Sequence, residues 1–138
     1  MTLRVSMLDA SRASGAMLGD AYQSVVDFYY SQHNDDGGFR GRNPKSDIYY
    51  SAFGIGGLLT LDAPLPDGLA DYLRHFGDGS ELDFVHLACL ARCWANLADD
   101  PPTADRRGMT ERLLTYRAAD GGFAQEQGAE HGSAYGCF

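Results

Sequence analysis

The sequence predicts an all-α protein built from helical repeats, and three observations carry that expectation. Amphipathic stretches alternate with stretches that are apolar almost all round. The apolar stretch 47–61 matches 83–97 at an offset of 36 residues, so that Asp47 meets Asp83, Ala52 meets Ala88 and Leu61 meets Leu97. The turn sequence Asp36-Gly37-Gly38-Phe39 returns as Asp120-Gly121-Gly122-Phe123. Such units bury their apolar faces only by stacking on neighbours. The alternation therefore points to two layers, with the apolar helices inside.

Taken in order, residues 3–18 read as a weak helix with Leu3, Met7 and Leu8 on one face, closed by Gly15. Asp20 is in N-cap position, with Gln23 in capping-box register. Tyr22, Val25, Val26, Tyr29 and Tyr30 recur at helical spacing, so a helix is expected to about Gln32. Asp-Gly-Gly-Phe then makes a turn whose glycines, Gly38 among them, are expected at positive φ. Asp47 caps the next helix, which is apolar on every side through Leu61 and so is expected to be buried all round. Its interior glycines, Gly54, Gly56 and Gly57, cost roughly 1 kcal/mol each against alanine, so close packing is the expected return.

Pro64 and Pro66 break the chain, and Asp67 opens a second amphipathic helix with the stripe Leu69, Tyr72, Leu73 and Phe76, stopped at Gly77. Gly77-Asp78-Gly79-Ser80 is a shortened turn, and the second apolar helix runs from Asp83 to about Leu97. Asp99-Asp100-Pro101-Pro102 breaks the chain again. A third amphipathic helix carries Met109, Leu113 and Tyr116, and the segment from Gly132 to Phe138 starts a third inner helix. Residues 1–138 thus read as a single domain of about two and a half units, at about 20–62, 63–99 and 104–138. The third unit stops as its inner helix begins, so a fragment, or a part of a larger assembly, is expected.

The net charge of −8 argues against bulk binding to nucleic acid or anionic membranes. The longest apolar run, 14 residues from Ile48 to Leu61, is too short to span a bilayer. Three cysteines, without framework spacing, suit a reducing cytoplasm. Neither a phosphate-cradling Gly-x-x-x-x-Gly-Lys nor a Gly-x-Ser-x-Gly elbow is present. Asp35-Asp36 and Asp99-Asp100 stand beside turn or breaker residues and read as solvated loop charges.

Gly-Gly-Phe-x-Gly-Arg at 37–42, followed by Lys45, Asp47 and Tyr50-Ser51-Ala52-Phe53, resembles the repeats of protein prenyltransferase β subunits. These belong with the squalene and terpene cyclases to the α/α-toroid superfamily. The resemblance covers about residues 20–138, or two and a half of the usual five or six units. It implies an incomplete α/α toroid, completed by a protein partner or a further chain segment. It also implies that Arg42, Lys45 and Tyr50 bind an isoprenoid diphosphate. Arginine grips phosphate bidentately and lysine adds a point charge. The family's zinc-binding aspartate corresponds to Asp47, although the family has one residue more between lysine and aspartate. Its cysteine ligand corresponds to Tyr49, and a phenol is a poor substitute for a thiolate on zinc. The family's third ligand, a histidine, holds in its own repeat the place that Tyr50 holds in the first. In the second repeat here that place is His86. The acid Asp-x-Asp-Asp of squalene-hopene type cyclases is absent.

Each of these residues also has a plainer reading. Arg40, Arg42 and Lys45 could solubilise a loop, and Asp47 could be only an N-cap. His86, Cys89 and Cys93 share one helical face and could form a soft metal site or part of a core. His131 is a further metal candidate. Trp94 and the tyrosines could line an isoprenoid pocket or pack a core. Two functions follow. One is a prenyltransferase-like protein that binds an isoprenoid diphosphate, with zinc as its cofactor if Asp47 and His86 hold a metal. The other is a non-catalytic helical-repeat module that binds a protein or lipid partner.

Overall fold

The computed structural model describes residues 6–7, 10–11, 15–97 and 105–137. Among them the chain is all-α and has no strand, only the isolated bridges His33 to Phe39, Arg40 to Ser46 and Arg117 to Phe123. Helices α1 (Tyr22–Ser31), α2 (Ile48–Thr60), α3 (Leu69–Arg74), α4 (Phe84–Asn96), α5 (Arg106–Leu114) and α6 (Ala134–Cys137) follow a 3-10 segment, Gly15–Ala21. Contacts divide the chain into two compact units, Met1–Leu69 and Ala70–Phe138. Most of the expected helix over 3–18 and the breaker Asp99-Asp100-Pro101-Pro102 lie outside the described residues.

The first helix corrects one expectation. Asp20 does not cap it: α1 starts at Tyr22 behind Ala21, which is already helical at φ −80° and ψ −14° and gives no side-chain cap. Asp20 falls inside the 3-10 segment, whereas a cap residue needs extended backbone. Gln23 turns instead to Asp27, with Nε2 donating to Oδ1 at 2.8 Å. The two apolar helices do start at their aspartates. Asp47 is extended, at φ −140° and ψ 137°, and its side chain accepts from the Tyr49 amide. Asp83 is extended too, and its side chain accepts from the His86 amide. Helix α2 ends where Asp62 takes φ 53°, and the Ala63 amide reaches back to the Leu58 carbonyl at 2.9 Å, a Schellman-type closure followed by Pro64.

Three aspartate turns, at Asp36, Asp78 and Asp120, share one geometry and stand 42 residues apart. In each, a carboxylate oxygen accepts from the amide two residues on: Gly38 at 2.9 Å, Ser80 at 3.0 Å and Gly122 at 2.9 Å. The glycine after each aspartate is left-handed, at φ 89° in Gly37, 77° in Gly79 and 90° in Gly121. Gly38 and Gly122 are not among the positive-φ residues, so the first glycine of each pair, not the second, carries the conformational demand. Caps follow the turns at unequal distances, from Asp36 to Asp47, Asp78 to Asp83 and Asp120 to Ser133. The short second connection turns a 42-residue turn spacing into a 36-residue helix offset.

The connection between turn and helix closes in the same way in the first and third cases. Phe39 donates its amide to Ser51 Oγ at 2.9 Å and accepts from the Asp47 amide at 2.9 Å. Phe123 donates its amide to Cys137 Sγ at 3.3 Å and accepts from the Ser133 amide at 2.8 Å. Ser51 and Cys137 each stand four residues past the residue that starts the helix. Ser51 is fully buried and satisfied, because its hydroxyl also donates to the Asp47 carbonyl at 2.9 Å.

Helix α2 is not buried all round, contrary to the expectation from its composition. Ile48, Ala52, Ile55 and Leu58 are buried, while Tyr50 and Phe53 are 42% and 50% exposed. Two of its glycines do serve close packing. A Cβ on Gly54 would lie 2.6 Å from the ring of Phe39, itself 1% exposed, and one on Gly57 would meet the ring of Tyr29. A Cβ on Gly56 would meet nothing within 4 Å. In the second unit, Leu87, Leu90, Cys93 and Trp94 of α4 form the buried face. Phe84 packs on Tyr116 with ring centroids 5.0 Å apart, and Met109 of α5 is buried. Arg112 of α5 ties back to Asp78 at 2.8 Å.

Two measurements check this account. Gly54→Ala should destabilise by about 1–3 kcal/mol through overpacking against Phe39. Gly56→Ala should stabilise by roughly 0.5–1 kcal/mol, because helix propensity rises at no steric cost. Urea unfolding of both variants reads the contrast, and equal shifts would refute the packing role of Gly54. The second measurement uses pH. The His86 amide holds the Asp83 carboxyl below the usual carboxylate range, with a further contribution from the His86 ring. The Asp78 carboxyl is lowered chiefly by Arg112, and the Asp120 carboxyl chiefly by the Gly122 amide. A lowered folded-state pKa contributes stability above the unfolded value, about 3.9, and loses it as pH falls through the folded value. Stability should therefore decline below about pH 4, and Asp83→Asn, which keeps the cap acceptor but does not titrate, should shrink that acid limb.

Candidate functional site

The turn, the loop after it and the faces of α1 and α2 enclose a cavity of about 510 Å³ in the first unit. Aromatic rings supply most of the apolar wall: Phe28 and Tyr29 from α1, Phe39 from the turn, Tyr50 and Phe53 from α2. Arg40 and Arg42 line it too, and among the described residues none that lines it is acidic. In a chain of net charge −8, this cavity is locally cationic.

Local geometry explains the convergence. Arg40 is in an isolated bridge with Ser46, and its amide donates to the Gln32 carbonyl at 2.9 Å. Arg40 stands in that bridge and Arg42 in the bend that follows it, and both line the cavity with Gly41 between them. Gly41 must be small, since a Cβ there would overlap the Tyr50 ring. Tyr50 lies in the first turn of α2 and stacks edge-on against Tyr49, with centroids 5.6 Å apart. Phe53, one turn on, packs against Tyr49 at 4.9 Å.

Of the diphosphate residues expected from the sequence, Arg42 and Tyr50 meet at this cavity, and Lys45 does not line it. Lys45 is exposed on the same loop, where its amide donates to Asn43 Oδ1 at 3.1 Å. Arg42 is exposed and has no ion pair or hydrogen bond to its side chain among the described residues. The residues missed from the sequence are Arg40 as a wall residue and Phe28, which is 59% exposed on α1. The i, i+2 spacing of the two arginines around a glycine was the available signal for Arg40.

The metal candidates are divided between the two units. Asp47 Oδ1 accepts from the Tyr49 amide at 2.7 Å, so its carboxylate caps α2. His86 lies in the second unit, with Nδ1 2.7 Å from Asp83 Oδ1. Cys89 and Cys93 are core residues, 5% and 0% exposed. His131 is exposed and faces Asp120 Oδ2 at 3.6 Å. Among the described residues no three His, Cys, Asp or Glu side chains form a metal-holding group. A cap carboxylate beside a tyrosine is not a donor set that fits zinc. Trp94 is 2% exposed in the α4 core and does not line this cavity. Among the described residues no helix is long and apolar enough to cross a membrane.

No protein-family model, no curated protein and no solved structure matches this chain.

The cavity gives a local test. Gly41→Ala should displace the half-exposed Tyr50 ring and leave stability within about 1 kcal/mol of wild type, because an exposed ring can swing away. Tyrosine fluorescence and a thermal melt read the two effects. A large fall in melting temperature would show instead that the ring is fixed.

Proposed function

We propose that this chain is a prenyltransferase-like protein whose first unit binds an isoprenoid diphosphate. The observation that carries the reading is that Arg42, with no side-chain partner among the described residues, lines one cavity together with Tyr50 and further aromatic rings, and no described acid lines it. An apolar chain suits the rings of Phe28, Tyr29 and Phe53, and a polyanionic head suits the guanidinium. The resemblance of 37–53 to prenyltransferase β-subunit repeats points the same way, and the α/α-toroid arrangement belongs to this proposal. In prenyl transfer, the bond between the prenyl carbon and the diphosphate oxygen breaks, an acceptor takes the carbon, and charge grows on the leaving diphosphate. In this reading Arg42 and Tyr50 would stabilise that charge. No step here runs through a metal.

A second reading, a non-catalytic helical-repeat module that binds a protein or lipid partner, is favoured by Asp47. Its carboxylate already occupies the Tyr49 amide at the N-terminus of α2 and brings negative charge to the end of the helix that attracts anions.

Titration calorimetry of the full chain with farnesyl and geranylgeranyl diphosphates separates the readings. The diphosphates should bind more tightly than the matching alcohols, and Arg42→Ala, folding normally, should weaken them roughly 5- to 30-fold. Alcohols and diphosphates binding alike would leave only the module.

A further inference from the structure

We propose that Arg40 is a second head-group residue of the same cavity, so that Arg40 and Arg42, rather than Arg42 and Lys45, grip the phosphorylated head of an amphiphile. This rests on the cavity reading above and names which cations serve it.

The argument starts from position. Arg40 lines the cavity and Lys45 does not. Arg40 is anchored at both its backbone and its side chain. Its amide is committed to Gln32, and Nη2 donates at 3.2 Å to the carbonyl of Ser31, the last residue of α1. A helix C-terminus carries partial negative charge, which favours a cation there. A guanidinium has five N–H donors. One hydrogen bond to Ser31 leaves most of the fork without a partner among the described residues. Arg40 is also less exposed than Arg42. It is therefore the held half of the pair, and Arg42 is the more exposed half.

Charge decides the ligand class. Two arginines and, among the described residues, no acid line this cavity, in a chain that is otherwise strongly acidic. Arg40 and Arg42 line this cavity together with Phe28 and Phe53. A single-chain amphiphile with a phosphorylated head matches both parts. A neutral apolar molecule would leave the two arginines unused.

The test uses calorimetry on the full chain, with farnesyl diphosphate and farnesol as probes. Arg40→Gln should weaken farnesyl diphosphate about tenfold and leave farnesol unchanged, whereas Lys45→Ala should change neither by more than about twofold. Arg40→Lys keeps the charge but loses the fork, and should fall between wild type and Arg40→Gln. A thermal melt of each variant checks folding. If Arg40→Gln does not fold, Arg40→Lys carries the test, since weaker diphosphate binding with normal farnesol binding is expected of it as well. Wild-type diphosphate affinity in Arg40→Gln, or in Arg40→Lys where that variant stands in, alongside weaker binding in Arg42→Ala, would overturn the role of Arg40 and leave the cavity reading standing. Equal affinity of the wild type for farnesol and farnesyl diphosphate would overturn both.

Discussion

The first unit depends on how Phe39 is seated. Its ring lies against Gly54, where no larger residue could stand without a shift, and its backbone is fixed at both ends by α2. The amide goes to Ser51 Oγ and the carbonyl receives the Asp47 amide. A polar group at Ser51 would be costly in a site that is 0% exposed if it had no partner. Here it meets the one backbone amide that the ring's burial takes away from water. Ring, amide and serine form one closed arrangement that docks the turn onto the helix. The loop from Arg40 to Ser46 is thereby held beside Tyr50, and the cavity exists because the loop is held there.

Much of this was legible in the sequence, and the parts that were not have identifiable physical reasons. Asp47 and Asp83 could be placed as caps because each precedes a long apolar run, which fixes where the first free amides must be. Asp20 has the same local chemistry but precedes a helix already entered through a 3-10 turn, and sequence spacing does not distinguish an extended aspartate from a helical one. Gly-Gly announced a turn correctly. Which of the two glycines is left-handed depends on the Asp36 side chain capturing the second amide, a tertiary detail of the turn rather than a property of the dipeptide. The 36-residue match of the inner helices concealed a stricter 42-residue rhythm of the turns, because the connection after Asp78 is short.

The site was legible to the same degree. Arg42 and Tyr50 were identified from the extended motif, and both stand on the cavity wall. Lys45 came with the same motif, but the bend from Gly41 to Lys45 leaves it outside the wall. Arg40 was passed over as a solubilising charge, since its partner, the last carbonyl of α1, is apparent only once α1 ends at Ser31. The uniform apolarity of α2 suggested burial on every side, yet Tyr50 and Phe53 are half exposed. Apolar composition marks what avoids water, and a ligand cavity satisfies that demand as well as a protein core does.

The three aspartate turns also bear on how the chain ages. Among aspartyl dipeptides Asp-Gly is the one most open to cyclisation, in which the glycine nitrogen attacks the aspartate carboxyl carbon and the backbone reopens through the side chain. In each turn that nitrogen is engaged. Gly37 donates to Asn34, Gly79 to Phe76 and Gly121 to Ala118, at 2.9, 2.8 and 3.0 Å. The carboxylate meanwhile accepts from the next amide along. The bonds that shape the turns thus shield their own peptide links, and the shielding lasts only while the turns stay closed. Loosening of a turn, more than time alone, would set the rate at which isoaspartate accumulates at Asp36, Asp78 and Asp120.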